Sequence, residues 1–128
     1  MKTIVSTPLA PSPIGPYSQA VIAGNLVFVS GTIAMDLQSK QLIQTNIKDE
    51  TRIVMDYIGA ILSAAGCSFK DVVKATIFLN DMNHFIQVNE VYSGYFSAHF
   101  PARATIQAAK LPKDAHVEIS VEAMRPDL

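Results

Sequence analysis

Along the 128 residues, the apolar positions follow two different periods. From residue 47 to 65 they recur every three or four places, so Ile47, Thr51, Val54, Ile58, Ile61, Leu62 and Ala65 share one helical stripe. Asn46 can cap that helix, Asp49 and Glu50 suit its positive end, and Gly66 stops it. A second stripe of Phe85, Val88, Tyr92, Tyr95 and Phe96 predicts another helix, capped by Asp81 or Asn83. Between and around these stripes the pattern is that of strands. Lys2 to Val5 makes a short one, and Val72 to Leu79 is β-branched and apolar. Gln19 to Ala23 and Leu26 to Ser30 flank Gly24-Asn25, a hairpin signal. Because Leu26 to Val29 is apolar throughout, it predicts a central strand covered on both faces. Gly31 after Ser30 marks a bulge, a close approach of a ligand to the backbone, or simply the strand's end. Met35 to Gln44 reads as a polar connection with a short hairpin at Ser39-Lys40.

Strict alternation returns near the C-terminus. Arg103, Thr105 and Gln107 point one way, and Ala104, Ile106 and Ala108 the other. Val117, Ile119, Val121 and Ala123 then alternate with Glu118, Ser120 and Glu122. Leu111-Pro112-Lys113-Asp114 suits a turn between the two runs, since Pro112 fixes φ and Asp114 can bond nearby backbone. The reading places one guanidinium and one carboxylate on the polar faces of two strands expected to be near neighbours. Strand, hairpin, helix, strand, helix, strand, strand suggests an α+β domain, two helices laid on one face of a mixed sheet. No linker or repeat interrupts it, so residues 1–128 are read as a single domain.

Composition narrows the functional classes. With 49% apolar and 16% charged residues the chain is globular. Ten basic against eleven acidic residues give a net charge of −1, which makes nucleic acid an unlikely partner. The single cysteine, Cys67, excludes an internal disulfide and reads as a buried or neutral thiol. Pro8, Pro11, Pro13 and Pro16 break any apolar leader, and no run approaches the ~20 residues of a membrane helix. A soluble, cytoplasmic protein is expected. There is no glycine-rich phosphate loop, Cys-x-x-Cys, His-Glu-x-x-His or nucleophile elbow. His84, His99 and His116 lack metal-ligand spacing and read as surface residues, so no metal is expected.

The remaining chemistry is acid–base and ionic. Arg103 follows Phe100-Pro101-Ala102 and begins a strand, so its planar guanidinium is held in a way that suits capture of a carboxylate. The alternative is an internal ion pair with Glu118. Tyr17 ends a proline-punctuated loop, either lining a site or packing on the rim. Asn89 lies at the edge of the second helical stripe and either bonds backbone or faces a pocket.

Ile14-Gly15-Pro16-Tyr17-Ser18, Val29-Ser30-Gly31, Val73 to Phe78, Asp81-Met82-Asn83, Val88 to Tyr92, Phe100 to Thr105, Lys110 to Asp114 and Val117-Glu118-Ile119 run in order along nearly the whole chain. Together they resemble the reactive intermediate (enamine/imine) deaminase family. The resemblance implies a chorismate-mutase-like fold with a mostly antiparallel sheet, and a homotrimer with clefts between adjacent subunits. It also implies hydrolysis of 2-imino acids such as 2-iminobutanoate and 2-iminopropanoate, released by pyridoxal-phosphate enzymes acting on serine or threonine. The products would be 2-oxo acids and ammonia, made without a cofactor. It further implies that Arg103 binds the carboxylate, Glu118 orients or activates water, and Tyr17 lines the cleft. Ser30, Gly31, Asn89 and the Thr105 backbone would surround the ligand. Thr32 and Thr105 stand where many members carry glutamine and cysteine, which excludes thiol chemistry at position 105 and alters the cleft wall. The segment Tyr95 to Phe100 is shorter than in some relatives. A non-enzymatic module holding a small acid in the same cleft is the alternative.

Overall fold

The computed structural model describes residues 1–126. Six strands, β1 (Lys2–Val5), β2 (Ala20–Ala23), β3 (Leu26–Thr32), β4 (Val72–Leu79), β5 (Ala102–Gln107) and β6 (Val117–Met124), form one sheet in the order β1-β2-β3-β6-β4-β5. Every pairing is antiparallel except β4 with β5. Two helices, α1 (Ile47–Ala64) and α2 (Phe85–Ser93), pack against each other, and α1 lies along β3 and β6. This is the α+β architecture of two helices and a mixed, mostly antiparallel sheet.

Local sequence explains most of the elements. The Asn46 side chain accepts the Asp49 N–H at 2.9 Å, and α1 ends as Gly66 takes a φ of 82°, where a side chain would strain the backbone. Val54, Met55, Ile58 and Leu62 of α1 are fully buried against Val27, Ala75, Ile77, Ile119 and Val121 of the sheet. Cys67 is buried there too, and that burial raises its thiol pKa.

Four expectations need correction. First, β3 is covered on one face only: Val27 and Val29 are core, but Phe28 is 41% exposed. Second, α2 stops at Ser93, and Tyr95 and Phe96 follow in tight turns bonded to the carbonyls of Tyr92 and Ser93. Asp81 caps a 3-10 turn, Met82–His84, that leads into this helix. Third, β5 and β6 are not neighbours. α2 carries the chain from β4 across to a parallel β5, as parallel strands require, while β6 inserts between β3 and β4. Fourth, His116 is no bystander at the surface: its backbone N–H and its ring both bond Glu50, which is wholly buried.

Candidate functional site

Register decides where the charged groups stand. Arg103 pairs with Ala75, which pairs with Val121, so Arg103 projects to the helix-covered face at the sheet's edge. Glu118 pairs with Phe78, which pairs with Ile106. Phe78 and Ile106 lie three places along from Ala75 and Arg103, and side chains alternate, so Glu118 projects to the opposite face. Two strand spacings and three residues separate the backbones by roughly 14 Å. The internal Arg103–Glu118 ion pair is therefore absent, and the two groups occupy separate cavities.

The first cavity, about 290 Å³, is lined by Ile14, Tyr17, Ser30, Gly31, Ile33, Pro112 and Glu118. Its shape depends on the bulge in β3: the four residues Val29 to Thr32 face three on β6, Val121 to Ile119. The extra residue turns the Ser30 hydroxyl to donate to the Ser18 carbonyl at 2.6 Å, pinning the proline-punctuated loop to the strand. A glycine comes next. A Cβ on Gly31 would sit 2.7 Å from Glu118 Oε2, so the carboxylate lies over the bare backbone at that point. Tyr17 folds over Gly15, and its hydroxyl accepts the Ile14 N–H at 3.4 Å, leaving the ring 48% exposed at the mouth. Among the described residues no cation pairs with Glu118, and burial alone raises its carboxyl above the ordinary value.

A second cavity, about 240 Å³, is lined by Asn89, Tyr92, Ser93, Phe100, Pro101 and Arg103. Arg103 Nη1 donates to Asn89 Oδ1 at 2.7 Å, and the guanidinium carbon lies 5.1 Å from the Tyr92 ring centre and 5.6 Å from that of Phe85. Two aromatic faces and one amide hold the plane without neutralising it. Most of its five N–H donors remain for a ligand. Burial raises the Tyr92 phenol pKa, partly offset by Arg103, and its hydroxyl has no hydrogen-bond partner among the described residues. Thr105 lies further along β5 beside Met82, Asn83, Phe85 and Ile86, its buried Oγ1 also unpartnered.

So the chain gathers Tyr17, Ser30, Gly31 and Glu118 in one place and Asn89 with Arg103 in another. Sequence reasoning missed the aromatic seat under Arg103, because Phe85 and Tyr92 sit on the helical stripe and read as core. It also missed the apolar walls, Ile14, Ile33 and Pro112. Glu50 reads from sequence only as an acidic residue suited to the positive end of α1, yet it is wholly buried. Its place between Ile47 and Val54 on the apolar stripe was the available signal.

None of the groups of acidic, histidine or cysteine residues among the described residues could hold a metal ion. No helix among the described residues is long and apolar enough to cross a membrane.

Comparison with known proteins bears on the same elements. Residues 7–125 match the family described as endoribonuclease L-PSP. The 2-iminobutanoate/2-iminopropanoate deaminase of Bos taurus is 47% identical over 128 residues, covering 100% of this chain and 93% of that one. A Yersinia pestis protein of the conserved Rid family superposes with a TM-score of 0.93 at 41% identity, covering 97% of this chain and 99% of the other. Escherichia coli TdcF, crystallised with bound serine, superposes with a TM-score of 0.91 at 39% identity, covering 97% and 99%. Similarity of this extent, running from the first loop to the last strand, means that the chain belongs to the endoribonuclease L-PSP family and, within it, to the Rid type.

Proposed function

We propose that this protein hydrolyses 2-imino acids, with 2-iminobutanoate and 2-iminopropanoate as substrates, to 2-oxo acids and ammonia. One observation carries the reading: a guanidinium and a carboxylate each face a cavity with no counter-ion among the described residues. The name of the bovine relative supports the same chemistry.

An imine carbon is already electrophilic, so the protein needs no covalent nucleophile, metal or cofactor for this step. It must hold the acid end, present a water, and manage protons. Arg103 takes the substrate carboxylate on its free N–H groups while Asn89, Tyr92 and Phe85 fix its plane. Glu118 accepts a proton from water as the oxygen adds to C2 of the protonated imine, giving a neutral carbinolamine. The same proton then passes to the carbinolamine nitrogen, the C–N bond breaks with its electron pair leaving on ammonia, and the hydroxyl proton is lost to that ammonia as the C=O forms. Ser30, Gly31 and the Thr105 backbone border the ligand, and Tyr17 closes the mouth. A desolvated carboxylate is a stronger base than one in water, which suits Glu118 to this task.

One small substrate cannot touch two groups on opposite faces of one sheet. We therefore place Arg103 and Glu118 together by bringing a second copy's sheet against the first, in a homotrimer with sites between subunits, working in the cytoplasm. The exposed apolar sheet face with Ile4, Phe28, Ile106 and Met124 is the surface such an assembly would cover.

A coupled assay tests the proposal: threonine dehydratase generates 2-iminobutanoate, and its loss is followed with and without this protein. Arg103→Ala and Arg103→Lys should each lose at least tenfold in kcat/KM, since a hydrogen bond to a charged group contributes roughly 1.5–3 kcal/mol and ~1.4 kcal/mol is a factor of ten. Glu118→Gln should still bind 2-oxobutanoate while losing turnover. Binding of 2-oxobutanoate with no acceleration by the wild type would instead mark a non-catalytic small-acid module. Steeply salt-dependent RNA binding would point to the activity in the family's description.

A further inference from the structure

Glu50 has no exposed surface, yet it is acidic. Its Oε2 accepts the His116 backbone N–H at 3.0 Å, and its Oε1 lies 2.9 Å from His116 Nδ1. The His84 and His116 rings pack edge-to-face with their centres 6.0 Å apart. These bonds join the first turn of α1 to the residue immediately before β6, two places ahead of Glu118. The His116 carbonyl in turn accepts the Asn80 N–H at 3.1 Å, fixing the same point to the end of β4.

The segment under tension lies just upstream. Lys113 and Asp114 both adopt positive φ, 56° and 62°, conformations that cost a non-glycine residue energy and persist only when neighbours hold them. Gln44 Nε2 donates to the Asp114 carbonyl at 3.1 Å, and buried Leu111 and Ala115 pack with Ile33 and Met35. Pro112 and Ile33 from this patch are walls of the Glu118 cavity. A buried carboxylate is an expensive way to stabilise a fold, because its desolvation offsets most of what pairing returns. Its fixed direction is what an apolar contact could not supply.

We infer that Glu50 and His116 form a clasp that positions Glu118 for water activation, by fixing the strained 112–116 turn and the start of β6. Glu50 and His116 are positioning residues: neither lines the cavity. The inference rests on the catalytic reading of Glu118, and the test keeps the two apart.

Steady-state imine hydrolysis is compared in wild type, Glu50→Gln, His116→Asn and His116→Leu, with inhibition by 2-oxobutanoate as the measure of Arg103. His116→Leu should lower kcat at least tenfold and change the 2-oxobutanoate inhibition constant less than twofold. Glu50→Gln, whose amide can still accept the His116 N–H, and His116→Asn, whose amide can replace Nδ1, should each recover kcat to within threefold of wild type. If His116→Leu does not fold, the double variant Glu50→Gln/His116→Leu leaves no unpaired buried charge and serves the same comparison. An unchanged kcat in the leucine variant, or a fall that asparagine does not recover, overturns the clasp. The Glu118 carboxyl is also titrated by carbon NMR, which does not depend on turnover. Its midpoint should fall in the leucine variant and hold in the asparagine one; equal midpoints in wild type and leucine variant overturn the clasp. Wild-type protein that does not accelerate hydrolysis overturns the catalytic reading alone, and the titration still decides the positioning.

Discussion

In the mechanism proposed above, single atoms decide whether Glu118 can act. Gly31 is the sharpest case, because the carboxylate of Glu118 occupies the space a methyl would take. The contact is with the far end of a flexible side chain, so Gly31→Ala should fold normally and push Glu118 aside. We expect at least a tenfold fall in kcat with an unchanged melting temperature, checked by the imine assay and thermal denaturation. Glu118 itself carries a stability signature. Burial raises its pKa above the ordinary 4.5, so the folded protein holds this proton to higher pH than the unfolded chain does. Its contribution to stability is fully present below 4.5 and is lost as pH rises through the raised value. Glu118→Gln removes that loss. The variant should melt above wild type at neutral pH, and the two curves should converge in acid. Activity of the wild type should fall as pH drops through the same raised value, since a protonated Glu118 cannot accept from water.

At the scale of elements, what was local was legible. The period of α1, its Asn46 cap and its Gly66 stop all lie within one stretch of sequence, and the helix formed where they predicted. Asn46→Ala should cost about 1 kcal/mol, read as a lower melting temperature with no change in KM, because the cap bond is remote from both cavities. The hairpin at Gly24 formed for the same reason, its positive φ of 64° being easy for glycine. The second helix ran shorter than its stripe, since beyond Ser93 the buried Phe96 is held by ring contacts with Phe69 and Tyr92 and not by helical bonds. Strand order misled in one place. Two alternating runs joined by a short turn read as neighbours, yet strand–helix–strand from Val72 to Gln107 is a crossover unit that pairs its own strands. With β5 paired to β4, β6 had to find its partners elsewhere.

The whole molecule is where the two half-sites become a question of assembly. β5 is an edge strand, and the sheet face away from the helices carries Phe28, Ile4, Ile106 and Met124 in the open. Phe28→Lys, at a position 41% exposed in the single chain, should leave secondary structure intact by circular dichroism. If the proposed trimer forms through this face, the same substitution should yield monomer by light scattering and abolish hydrolysis. A monomeric wild type that retains full activity would remove the need for a shared cleft.

Sequence by itself determined the first helix, the strands and the turn residues, and it singled out Arg103 and Glu118 as candidates, because periods, caps and glycines act over a few neighbouring residues. It also held the family likeness, spread over many short motifs. Only the tertiary structure decided that Arg103 and Glu118 stand on opposite faces, that Phe85 and Tyr92 form a seat, and that Glu50 reaches His116. Those are relations between residues 11 to 66 places apart, fixed by strand order and register, and a one-place change in register turns a side chain to the other face.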